Sequence, residues 1–216
     1  MTVTIISHAA ASGSARDTTT SHSESHAPRA YQRRDDHKPR TSGPEEDHYV
    51  LTLQTDSAHQ ATMSEWRKRY FPAKMLKVDA HISLFRALPD SILSTIKSDI
   101  ASAASGTTPF AISASKPFRM GRGVGLSVTG LEPADELFRQ LQTKWYDVLS
   151  QQDRGKFRGH YTLMNLVNDE EAVKRCLEDV RREFGGCDGE VTGLSLWRYD
   201  RGWWRHDQDF AFPRTS

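Results

Sequence analysis

From residue 49 onward the apolar positions repeat with two alternating periods. Residues 49–54 (YVLTLQ) form a short apolar run that reads as a strand. Residues 57–70 read as a helix that stops ahead of Pro72. Residues 79–88 are again strand-like. Asp90, after Pro89, is the expected N-cap of a helix in which Ile92, Leu93, Ile96 and Ile100 recur at helical spacing. Two strands over 109–120 and 123–130 flank a Gly121-Arg122-Gly123 turn. Pro133 suits the first turn of the next helix, whose stripe is Leu137, Phe138, Leu141, Trp145, Val148 and Leu149. Residues 159–167 form a strand, and Asn168 with Glu171 makes a capping-box-like start for a helix carrying Val173, Cys176 and Val180. Residues 189–200 and 203–212 close the chain as a hairpin about Arg201-Gly202.

The order is strand, helix, strand, helix, strand, then the same again with one strand more. The second strand of each half carries similar letters, His81-Ile82-Ser83-Leu84 and His160-Tyr161-Thr162-Leu163. This predicts an α+β fold of two lobes. Their mostly antiparallel sheets would be duplicated about a pseudo-twofold, with outer helices and a central cleft. Residues 48–216 make up this domain. Residues 1–47 are Ser-, Thr- and His-rich, then charged and interrupted by Pro and Gly. Such a segment buries too little apolar surface to offset chain entropy, so it is expected to be disordered. Its acidic residues argue against a transit peptide.

Composition narrows the function. Lys and Arg number 29 against 28 Asp and Glu, a net charge of +1, which disfavours coating of long duplex DNA. Cys176 and Cys187 are too few for a disulfide scaffold or a thiolate zinc site. No apolar run approaches the ~20 residues of a membrane span. The expectation is a monomeric protein of the cytoplasm, with the nucleus as the alternative, that needs no cofactor.

Residues i and i+2 of a strand share a face. His81 therefore sits beside Ser83, and His160 beside Thr162, while Ile82, Leu84, Tyr161 and Leu163 face a core. If the two faces meet across the cleft, two imidazoles and two hydroxyls converge. That set suits phosphodiester chemistry. One imidazole can take a proton from the nucleophile and the other can give one to the leaving alkoxide. The hydroxyls can bond non-bridging phosphate oxygens. No metal is required by this scheme.

At these residues the chain resembles the 2H phosphoesterase superfamily, which carries two His-x-Thr/Ser motifs, and in particular its 2′–5′ RNA ligase-like, cyclic phosphodiesterase branch. The resemblance spans about 49–212. It also rests on RYFPAKML, FRMGRGVGL, QDRGKFRGHYTLMN and LSLWRY. It implies His81 and His160 as catalytic pair, Ser83 and Thr162 as phosphate ligands, and RNA ends or small cyclic nucleotides as partners. The reaction implied is hydrolysis of 2′,3′-cyclic phosphates or 2′–5′ linkages, or the reverse joining of RNA. Relatives often continue the second motif as Gln-Asn-Lys, where this chain has Met164-Asn165-Leu166. That loss of polar contacts keeps open a non-catalytic module that binds the same ligands.

Other residues carry weaker signals. Arg198 could reach a phosphate with its planar fork, or form a structural ion pair. Of Trp203 and Trp204, at most one can face the cleft to stack a base. Arg119 and Arg122 flank the glycine turn and could receive phosphate. His206 beside Asp207 is expected to be a surface pair.

Overall fold

A computed structural model describes residues 46–214. The disordered tail expected from the sequence lies outside the described residues, save its last two. Those two are docked: the Glu46 carboxylate accepts from the Ser91 amide at 2.9 Å, and Asp47 O accepts from the Asp90 amide at 3.1 Å.

The elements run β1 (His48–Thr55), α1 (Ser57–Tyr70), β2 (Ser83–Pro89), α2 (Leu93–Ser105) and β3 (Phe110–Met120) in the first half. The second half runs β4 (Gly123–Thr129), α3 (Glu132–Trp145), β5 (His160–Met164), α4 (Glu170–Glu183), β6 (Cys187–Asp200) and β7 (Trp203–Ala211). No helix among the described residues is long and apolar enough to cross a membrane.

Helix starts differ in detail from expectation. Asp90 opens a one-turn 3-10 segment, Asp90–Ile92, and α2 begins beyond it without a side-chain cap. Asp169, not Asn168, caps α4, accepting from the Ala172 amide at 3.1 Å. Val148 falls beyond the end of α3 and is exposed. Asp56 caps α1 through the Ala58 and His59 amides, and its other oxygen accepts from the Glu190 amide at 2.8 Å. One carboxylate thus ties the helix start to β6.

The strands pair in the order β2-β1-β6-β3-β4-β5, all antiparallel, with β7 added alongside β6. The two halves are interlaced. In each, the first two strands of that half pair with one another, and the third crosses to the other half's first strand: β3 to β4, and β6 to β1. The strand β6 is long enough to serve both lobes. Its start pairs with β3 over Cys187–Val191, and its remainder lies between β1 and β7. The strands that carry or adjoin the two motifs, β2 and β5, end the strand order. They must therefore be brought together by curvature of the sheet.

A single apolar core runs beneath both lobes. Phe85 of β2 stacks on Phe138 of α3 at 4.8 Å and meets Trp145 edge-on at 5.2 Å, so the core itself joins first-half to second-half elements. Asp153 adds a polar lock. It is 3% exposed, and its carboxylate accepts from the Arg86 and Ala87 amides of β2 and from the Ser150 hydroxyl. A second-half loop thereby satisfies donors on the outer edge of β2, which would otherwise be left unpaired. Asp153→Ala should cost roughly 1–3 kcal/mol or more of unfolding free energy, the penalty for stranding buried donors. Urea denaturation would measure it, and an unchanged midpoint would contradict the lock.

Candidate active site

The second motif sits on β5 as the alternation predicts. Tyr161 and Leu163 are buried at 1% and 0% exposure, while His160 and Thr162 face a cavity of about 430 Å³. The first motif differs slightly: β2 begins at Ser83, so His81 precedes the strand. The alternation persists nonetheless, because Ile82 O still accepts from the Leu53 amide at 3.0 Å. Ile82 and Leu84 are buried, and His81 and Ser83 line the same cavity as His160 and Thr162. The four motif side chains therefore share one cleft between the lobes.

Both imidazoles are held alike. His81 Nδ1 lies 2.8 Å from the Asp79 carbonyl, and His160 Nδ1 lies 2.7 Å from the Arg158 carbonyl, each two residues upstream. A carbonyl oxygen only accepts, so each Nδ1 carries the proton. In each neutral ring Nε2 is then left with the lone pair. An aromatic ring braces each imidazole: Trp204 of β7 lies 4.3 Å from His81, and Phe118 of β3 meets His160 edge-on at 5.8 Å.

The electrostatics are one-sided. Arg67, Arg86 and Arg158 line the cleft, and among the described residues no Asp or Glu does. Arg67 is 5% exposed, stacked on Phe71 at 3.8 Å. Its Nε donates to Val78 O at 3.2 Å and its Nη1 to Thr162 O, carbonyls from opposite halves of the chain. Burial pulls its pKa down to about 10, which leaves it charged at neutrality. Burial, then the Arg67 charge, drives His81 down to about 3. His160 is lowered too, by burial and then by the Arg86 charge. At neutral pH the cleft thus holds fixed guanidinium charge and two uncharged imidazoles, a setting that favours an anion.

Several expectations need correction. Arg198 does not line the cleft. Trp197 and Tyr199 face one side of β6, so Arg198 faces the other, where it pairs with Asp47 on the surface. Of the two tryptophans, Trp204 lines the cleft and Trp203 is 56% exposed. Arg119 makes a two-pronged pair with Glu170, and Arg122 donates to Asn168. The partner of His206 is Asp209, at 2.9 Å, while Asp207 pairs with Lys97. His59 is buried and joins β5 to β6: its Nε2 is 3.0 Å from the Tyr161 hydroxyl and its Nδ1 3.1 Å from Asp188 O. The sequence reading did not single out Arg67, Arg86 or Arg158. For Arg67 a signal existed: it repeats the His59, Met63 spacing on the inward face of α1, an unusual seat for a cation. Among the described residues no three His, Cys, Asp or Glu side chains converge as metal ligands.

Two interlaced halves, each contributing one histidine and one hydroxyl to a basic cleft, define a bilobal, duplicated α+β class of protein. The profile of the 2′-5′ RNA ligase superfamily matches residues 55–203. The chain belongs to that superfamily. Solved structures agree on the fold. E. coli LigT complexed with 3′-AMP is 14% identical, with a TM-score of 0.55 over 79% of this chain and 100% of that one. TT0787 of Thermus thermophilus is 13% identical, with a TM-score of 0.53 over 78% and 100%. No curated protein sequence matches the chain.

Proposed function

We propose that the protein is a phosphodiesterase that opens 2′,3′-cyclic phosphates or cleaves 2′–5′ linkages at RNA ends or in small nucleotides, by proton transfer between two histidines. The observation that carries this reading is the matched pair of imidazoles, each with Nδ1 tied to a carbonyl, lining one arginine-rich cleft.

The steps follow from the groups present. Water attacks the phosphorus of a cyclic phosphate. One Nε2 accepts the proton that water gives up. The other, protonated, donates to the ribose oxygen as its P–O bond breaks, leaving a phosphomonoester and a free hydroxyl. The two rings are held alike, so either can serve as base with the other as acid. The substrate's negative charge stabilises the cation of the imidazole beside it, which readies that ring as the acid. Ser83, Thr162 and Arg67 hold the non-bridging oxygens. Tyr161, the bulky residue of the second motif, points into the core and leaves the cleft clear, which favours turnover over mere binding.

The direct test is a panel of 2′,3′-cyclic nucleotides and 2′–5′ dinucleotides assayed in EDTA. Steady turnover of at least one is expected, and tight binding with no product would overturn the reading. The pH profile adds a signed prediction. In free enzyme both rings have lowered pKa values, so the protonated form of the one that acts as acid is lost as pH rises through a value below 6.5. The kcat/KM optimum should therefore lie on the acidic side of 6.5. The kcat optimum, which reports the substrate complex, should lie higher. A kcat/KM optimum above about pH 8 would contradict the assignment.

A further inference from the structure

A second cavity, of about 490 Å³, adjoins the first and shares Val78, His81 and Trp204 with it as a common wall. It opens over β1, β6 and β7, and its lining includes Thr52, Gln54, Ser195, Trp197, His206 and Asp209. The proton-transfer scheme uses none of these six. They are nonetheless organised. Trp197 Nε1 donates to the Thr52 hydroxyl at 2.9 Å, and its ring meets His206 edge-on at 5.3 Å. Asp209 Oδ1 accepts from the Ser195 hydroxyl at 2.6 Å and lies 2.9 Å from His206 Nε2. The indole and the carboxylate are thereby fixed in place.

The two cavities differ in charge. Among the described residues the first carries three arginines and no carboxylate, whereas the second sets Asp79 and Asp209 against Lys77. A second phosphate gains little there. An uncharged heterocycle fits better, since Trp197 and Trp204 line the cavity together with fixed polar groups. Size argues the same way. Each cavity lies within the range that holds a complete small ligand. The first therefore takes the phosphate with its own nucleoside, and the second is free for a neighbour.

We infer that the second cavity is a nucleoside subsite, so that the substrate is an RNA end of at least two nucleotides, with the residue on the 5′ side of the reacting one seated over Trp197. The inference rests on the phosphodiesterase reading of the first cavity, and binding measurements separate the two. Adenosine 3′-phosphate and the 3′-phosphorylated dinucleotide of adenosine (ApAp) are titrated by calorimetry. In wild type the dinucleotide should bind about 10-fold tighter, within what stacking one base contributes. In Trp197→Leu the ratio should fall to within about 2-fold of unity, the expected loss of that stacking. The exposed His206→Ala, which does not threaten the core, should reduce it in part. Equal affinities in wild type, or a preference that survives both substitutions, would overturn the subsite. A preference with no turnover of either the cyclic-ended or the 2′–5′-linked dinucleotide would support the subsite and sink the catalytic reading.

Discussion

Turnover of a 2′,3′-cyclic nucleotide should fall by roughly 10²–10⁴-fold when either His81 or His160 is replaced by Ala, the range for losing one positioned acid or base. Both rings sit at the cleft surface, half-buried, so neither truncation empties the core. Far-UV circular dichroism and the urea midpoint should accordingly be little changed. The double variant should be little worse than the poorer single variant, because a base without its acid, or the reverse, no longer completes the transfer. Losses that multiply would mean that the two rings act on separate steps or separate ligands. Full activity in the double variant would remove both rings from the chemistry.

The second large effect belongs to Arg67. Its charge is held at the cleft by two carbonyls, one from the segment before His81 and one from β5. Arg67→Met keeps much of the side chain's bulk and removes both the charge and the bridge. Affinity for adenosine 3′-phosphate should drop by roughly 10–100-fold, the scale of one or two hydrogen bonds to a charged group. The His81 pKa should rise, because the Arg67 charge is the second cause of its depression after burial. An NMR titration of the His81 ring reads that shift. A lost affinity with no movement of His81 would reduce Arg67 to a structural tie between the halves.

These two predictions draw unequally on the sequence. The histidine–hydroxyl pairs were legible because a strand's period of two is a local property. The apolar partners Ile82, Leu84, Tyr161 and Leu163 mark the buried face without knowledge of the neighbours. The two halves were legible from the repeated element order. Their interlacing was not, since strand pairing over that separation is set by the whole sheet. Arg198 shows where local parity fails. That it opposes Trp197 and Tyr199 follows from alternation, but which of the two faces meets the cleft does not. The partner of His206 failed for a different reason. The β6–β7 ladder shifts register between Leu196 and Trp197, pairing Leu196 with Gln208 and Trp197 with His206, so Asp207 has no opposite. That bulge breaks the alternation and brings His206 onto the side of Asp209. Arg67 was legible only in part. Its helical spacing placed it inward, and nothing short of the folded chain named the carbonyls that receive it.

The claim beneath all of this is that both imidazoles address one anion. A crystal structure with adenosine 3′-phosphate tests it most directly. The phosphate should lie with an oxygen within about 2.6–3.2 Å of Nε2 of His81 and another within the same reach of Nε2 of His160. A phosphate held by a single ring, or seated outside the cleft that Arg67 overlooks, would contradict it.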